Sequence, residues 1–190
     1  MTKSSGRAAA GTIVALVLAV PAAAQDGQSQ SRTTAPVRVI MDTAGLPGPR
    51  QPIFFRHDVH AGQDRVPCMY CHATVAISSE PGIPALQTCI GCHLIISGST
   101  DSHRAEIQKV RNAWRDRHPP EWVRIHTVPG FVRFPHMRHI KVLGVESCHT
   151  CHGDVATMPQ VYQVETLKMG WCISCHVQRR ATRDCTACHY

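Results

Sequence analysis

Ten cysteines stand in this chain, and each belongs to a C-x-x-C pair followed at once by histidine. The five units are Cys68-Met-Tyr-Cys71-His72, Cys89-Ile-Gly-Cys92-His93, Cys148-His-Thr-Cys151-His152, Cys172-Ile-Ser-Cys175-His176 and Cys185-Thr-Ala-Cys188-His189. This is the spacing of c-type haem attachment. Two thiols three positions apart can each add across one vinyl group of a porphyrin. The adjoining histidine then offers the iron an axial nitrogen from below the ring. Other uses of C-x-x-C fail on specific points. A zinc site does not need histidine after every second cysteine. A disulfide scaffold would not confine every cysteine to one spacing. A thioredoxin-like site has one such pair, not five. His72, His93, His152, His176 and His189 are therefore the expected proximal iron ligands, and the ten cysteines the expected covalent anchors of five c-type haems.

Composition supports the same reading. Phe, Trp and Tyr make up only 5% of 190 residues, a thin stock for a core built of protein alone. Macrocycles have to supply most of the apolar interior. The expected fold class is a multihaem cytochrome c of low regular secondary structure, with short α-helices and loops wrapped around five covalent haems. Without cofactor the chain should not fold. The formal charge of +7 falls to +5 if Lys3 and Arg7 are removed with a leader. Ten propionates offset that charge, and pairing of Lys and Arg with propionates explains the basic balance better than nucleic acid does. No nucleic-acid partner is expected.

The first residues suggest export. Lys3 and Arg7 precede an apolar run from Ala8 to Val20, and Pro21-Ala-Ala-Ala24 follows as a small-residue cleavage site. The run is shorter than the roughly 20 apolar residues that span a bilayer. Residues 1–24 are thus expected to be a signal peptide, with an N-terminal anchor as the other reading. Residues 25–50, rich in Gln, Ser, Thr, Pro and Gly, read as an extended arm. The chain is expected to be exported.

Eight histidines lie outside the proximal set, and spacing sorts them. Phe55-Arg-His57-Asp-Val-His60 precedes Cys68, and Phe134-Pro-His136-Met-Arg-His139 precedes Cys148. In both cases a second haem motif follows. This is an internal repeat of two-haem units, 51–93 and 132–176, with a helical linker at 94–131 and a fifth haem segment at 177–190. Histidines at i, i+3 share one helical face, from which the rings can diverge to two irons. His57, His60, His136 and His139 are the expected distal ligands, with His60 and His139 serving haems other than their sequence-nearest ones. The phenylalanine is placed to pack on a macrocycle. His126, in a segment whose alternation suggests extended backbone, is a further distal candidate, and Met158 and Met169 are its rivals. His103, His118 and His149 read as exposed bystanders. Residues 101–114 have a helical pattern capped by Asp101 or Ser102, with Ile107, Val110 and Trp114 on one face. A second helix is expected over Val161 to Lys168.

The F-x-H-x-x-H…C-x-x-C-H layout resembles the class III multihaem cytochromes c. A longer block is similar to the pentahaem cytochrome c subunit of alternative complex III and of related quinone reductase complexes. It comprises Gln51-Pro-Ile-Phe-Phe-Arg-His57, Trp122-Val-Arg-Ile-His126, Phe134-Pro-His-Met-Arg-His139, Gly144-Val-Glu-Ser-Cys-His-Thr-Cys-His-Gly153, Met158 and Met169-Gly-Trp-Cys-Ile-Ser-Cys-His176. That resemblance, over about residues 51–190, implies a periplasmic electron-relay subunit. Its implied partners are iron–sulfur/molybdopterin-type and quinol-binding membrane subunits, and a monohaem cytochrome c or terminal oxidase as acceptor. It implies distal ligation by His57, His60, His136 and His139. The expected function is electron transfer rather than catalysis. The alternative is a haem enzyme, such as a nitrite- or sulfur-oxyanion-reducing cytochrome, which needs one iron with an open distal position.

Overall fold

Each haem motif needs its two cysteines on one side of the backbone, and a single helical turn does this, because residues i and i+3 share a face. All five motifs lie on or beside such turns. The computed structural model describes residues 44–190, so the expected leader and most of the expected arm lie outside the described residues. Helix α1 is Cys68–Cys71, α2 is Leu86–His93 and α3 is Asp101–Arg115. Helix α4 is His136–Leu143, α5 is His149–His152, α6 is Met169–Gln178 and α7 is Cys185–Cys188. A π-helical turn at Asp58–Gln63 and 3-10 turns at Ala73–Ala76, Val145–Cys148 and Val155–Thr157 fill gaps between them. Among the described residues there is no strand, only an isolated antiparallel bridge between Val132 and His189. No helix among them is long and apolar enough to cross a membrane.

The longest helix behaves as its pattern predicts, with one change at its start. Thr100 rather than Asp101 or Ser102 is the cap, its hydroxyl accepting from the His103 amide at 3.2 Å. Val110 of α3 is buried against Ile53 and Ile90, with Leu86, Cys89 and Trp122 packed around them. Arg111 adds a polar staple: its Nε donates to the His93 carbonyl at 2.7 Å, and its guanidinium reaches Ser97 Oγ at 3.0 Å. Helix α3 is thereby fixed to α2 and to the loop that follows the second haem motif.

The second expected helix fails. Residues 161–168 are not helical. They lie between buried Gln160, whose amide donates to the Pro47 and Gly48 carbonyls at 3.1 and 2.8 Å, and Leu167, whose φ of 50° breaks any helix. The segment around Val123 is non-helical, and the Gln51 side chain straps it, donating to the Val123 carbonyl at 3.0 Å and accepting from its amide at 2.9 Å.

The protein core is small. Ile53, Ile90, Val110 and Met158 are the buried apolar residues among those described, while Ile77, Leu94, Ile95, Ile96 and Val142 are exposed. That is far less apolar burial than a chain of this length needs to offset its conformational entropy.

Candidate haem-binding site

The two F-x-H-x-x-H segments adopt the same side-chain arrangement. Phe55 stacks on His60 at 4.4 Å between centroids and 25° between planes, and meets His57 edge-on at 4.7 Å and 85°. Phe134 stacks on His139 at 4.2 Å and 27°, and meets His136 edge-on at 4.8 Å and 87°. The phenylalanine is therefore a wedge that sets the angle between two imidazoles. Nδ1–H of His60 donates to the Arg56 carbonyl at 2.8 Å, and Nδ1–H of His139 donates to the Pro135 carbonyl at 3.1 Å. Both bonds reach four residues back, so a histidine at a helix start finds its acceptor in its own preceding turn. The bond fixes the tautomer and leaves Nε2 with a free lone pair, the state a metal ligand requires.

The proximal candidates facing these rings are prepared in the same way. His60 lies 5.9 Å from His93 between centroids, and His139 lies 6.2 Å from His176. Nδ1–H of His93 donates to the Ile96 carbonyl at 3.1 Å, and that of His176 to the Thr182 carbonyl at 2.5 Å. Metal–nitrogen bonds of about 2 Å on both sides of an iron put two ring centroids about 6 Å apart. Both pairs meet that spacing. So does His136 with His152, at 6.4 Å and 18° between planes. His126 also reaches His152, but at 4.4 Å edge-on, too near for two ligands on opposite sides of one iron. His57 sits in the electrostatic range of His72.

Buried nitrogen atoms mark the same places. Nδ1 of His57, Nδ1 of His136 and Nε2 of His126 are buried without a hydrogen-bond partner. Burial, reinforced by the neighbouring His72 and His60, holds His57 down to about 4. Burial, with His126, His136 and His72 close by, does the same for His152. His72, His126 and His136 are also lowered, each chiefly by burial. These imidazoles are thus neutral near pH 7 and able to donate a lone pair. None of the ten cysteines is paired in a disulfide. Among the described residues no three His, Cys, Asp or Glu side chains gather as a protein-only metal site. Residues and spacing fit iron held between paired imidazoles, with thioether anchors beside it.

The remaining candidates separate. Met158 is buried, and its carbonyl accepts from the Asp58 amide at 3.2 Å; Met169 opens α6 and is 64% exposed. His118 and His149 are exposed, but His103 is half-buried with an unpartnered Nε2, against the expectation of exposure. The ring packed beside His189 is Phe131, at 5.8 Å and 34°. The carbonyls of Arg56, Pro135, Ile96 and Thr182, which orient the candidate ligands, were not singled out by the sequence pattern. Only the first two could have been, from the four-residue spacing.

Comparison with known proteins agrees with this geometry. The family model described as cytochrome c7 and related cytochrome c matches residues 132–190. The chain is 27% identical over 164 residues to the multihaem cytochrome c subunit of menaquinone reductase from Nitratidesulfovibrio vulgaris, an alignment covering 73% of this chain and 76% of that one.

Proposed function

We propose that this chain, which is a multihaem cytochrome c with covalently held c-type haem, carries five haems and relays electrons as the cytochrome subunit of a membrane quinone-linked oxidoreductase. Bound haem supplies one-electron redox chemistry at its iron. The chain's own residues do the rest. Cys68 and Cys71, Cys89 and Cys92, Cys148 and Cys151, Cys172 and Cys175, and Cys185 and Cys188 anchor the rings. His72, His93, His152, His176 and His189 would each hold an iron through a ring nitrogen. His57, His60, His136 and His139 would supply a second nitrogen to four of them.

The observation that carries the reading is the set of three imidazole pairs at 5.9, 6.4 and 6.2 Å. Two protein ligands at each of those three irons would leave no coordination position for substrate there, which suits transfer and not catalysis. The resemblance to the pentahaem subunit of alternative complex III, and the likeness to a menaquinone reductase subunit, support a place beside quinone-binding membrane subunits on the periplasmic side. Mass spectrometry of the mature chain should show five added haems, and purification after mild solubilisation should bring membrane subunits with it. A mature chain lacking that added mass would defeat the proposal.

One observation favours the haem-enzyme alternative: a phenylalanine, not an imidazole, packs beside His189. Carbon monoxide binding to the reduced protein tests it. A wholly low-spin protein that ignores carbon monoxide supports transfer; an adduct at the His189 site would favour catalysis there.

A further inference from the structure

We propose that the five attachment sites form one unbranched file whose order in space departs from their order in the chain: first the site at Cys89, then those at Cys68, Cys148, Cys172 and Cys185. The inference rests on the electron-relay reading and adds to it a path with two defined ends.

Each junction has its own observation. His57 and His60 lie three residues apart on one wedge, Phe55, and His60 faces His93 while His57 neighbours His72. That joins the Cys89 site to the Cys68 site. The equivalent wedge, Phe134, joins the Cys148 and Cys172 sites through His136 and His139.

The central junction is reciprocal. The π-helical turn Asp58–Gln63 of the first unit packs on the turn Val155–Thr157 that follows the Cys148 motif, and α4 of the second unit packs on the turn Ala73–Ala76 that follows the Cys68 motif. The Asp58 amide donates to the Met158 carbonyl at 3.2 Å, and the Met137 amide donates to the Ser78 carbonyl at 3.3 Å. Gly62 approaches so closely that a Cβ there would lie 2.3 Å from the Ala156 oxygen. This exchange brings the first site of each unit to the middle and leaves the Cys89 and Cys172 sites outside.

The last junction is a clip. Val132 bridges to His189, the Arg133 amide donates to the Cys188 carbonyl at 2.7 Å, and the Tyr190 amide donates to the Phe131 carbonyl at 3.3 Å. The clip ties the fifth motif to the second unit, and Nδ1–H of His176 donates to the carbonyl of Thr182, three residues before Cys185, which sets the motif beside the Cys172 site. The thiols trace the same file: Cys71 lies within electrostatic reach of Cys92, Cys148 of Cys68, Cys151 of Cys175, and Cys172 of Cys188. The two ends differ in character. Exposed Leu94, Ile95 and Ile96 follow His93, whereas Arg179, Arg180 and Arg183 precede Cys185.

Removing an end site tests the order, because each reduced iron adds a charge whose influence on other irons falls with distance. The full-length holoprotein is made with Cys185→Ser/Cys188→Ser and, separately, with Cys89→Ser/Cys92→Ser. Haem methyl resonances are followed by NMR during stepwise chemical reduction and assigned to sites by His→Met variants at His57, His60, His136 and His139. Loss of the Cys185 site should shift the midpoint of the Cys172 site most; loss of the Cys89 site should shift that of the Cys68 site most. If the Cys185 deletion moves the Cys68 site more than the Cys172 site, the order is wrong. It is equally wrong if the Cys89 deletion moves the Cys148 site more than the Cys68 site. Should a deletion variant fail to mature, His60→Met gives the same reading: reducing its raised-potential haem should shift the Cys68 site above all others, and a larger shift elsewhere overturns the file. Five haems by mass with misplaced neighbours removes the order alone. Fewer than five in the unsubstituted chain removes the five-haem relay on which the order rests.

Discussion

At the scale of single residues, three imidazoles crowd one candidate iron, and distance assigns them different roles. His136 stands 6.4 Å from His152 and His126 only 4.4 Å. His136→Ala should therefore turn one haem high-spin and change its midpoint, while His126→Ala should leave the spin state of every haem unchanged. Electron paramagnetic resonance of the oxidised variants reads both, and the reverse pattern would exchange the two roles. Gly62 offers a second test. Its missing side chain lets the first unit approach the Ala156 carbonyl, and backbone cannot give way as a side chain can. Gly62→Ala should cost about 1–3 kcal/mol of stability, seen as a lower urea midpoint; an unchanged midpoint would mean that this approach is not tight. The positions of His57, His60, His136 and His139 were legible because the same hexapeptide pattern occurs twice. The third imidazole at His152 was not, since nothing in the spacing of His126 says which motif it meets. His103 was misjudged for a similar reason: a helix pattern tells which face is polar, not what loop closes over it.

Among the elements, helix α3 shows how far pattern reading extends. Its apolar stripe and its polar start are local properties, so its span was readable to within a residue. What it packs on is not local. The pattern gave a linker between two units, whereas its staple, Arg111, is bonded to the carbonyl of His93, the last residue of the first unit, and to Ser97 in the loop just after it. Arg111→Ala should cost about 1.5–3 kcal/mol through the lost charged hydrogen bonds and speed hydrogen exchange at residues 94–98; exchange there at the wild-type rate would show that the staple is idle. The expected helix at 161–168 failed through a tertiary tie. Gln160 is drawn to the Pro47 and Gly48 carbonyls, 113 and 112 residues away in the chain, and no local window carries that information. The short helices at Cys68–Cys71 and Cys185–Cys188 are dictated by the spacing of their cysteines more than by helix propensity.

For the molecule as a whole, acid is the natural stress. His57 and His152 sit near 4 because burial, aided by adjacent imidazoles, disfavours their charged forms. In the unfolded chain a histidine takes its proton near about 6.5. Between those values the unfolded state binds more protons than the folded one, so stability falls as pH falls and is fully present above about 6.5. Urea midpoints of the holoprotein at several pH values across that window should decline towards acid. A flat profile would mean that the two rings are not buried as neutral groups. The global fold was readable as a class because five motifs leave a chain of this length little else to be. The interlocking of the two units was not, since it depends on backbone contacts made by Ser78, Met158 and Ala156, residues with no motif of their own.

The sparse interior has a consequence beyond folding. With Ile53, Ile90, Val110 and Met158 as its buried apolar residues among those described, the polypeptide has almost nothing of its own in which to hide. A newly made chain that meets no iron porphyrin stays open to proteolysis. The cellular amount of this protein should then follow nutrient iron, falling under starvation even where its messenger RNA holds steady.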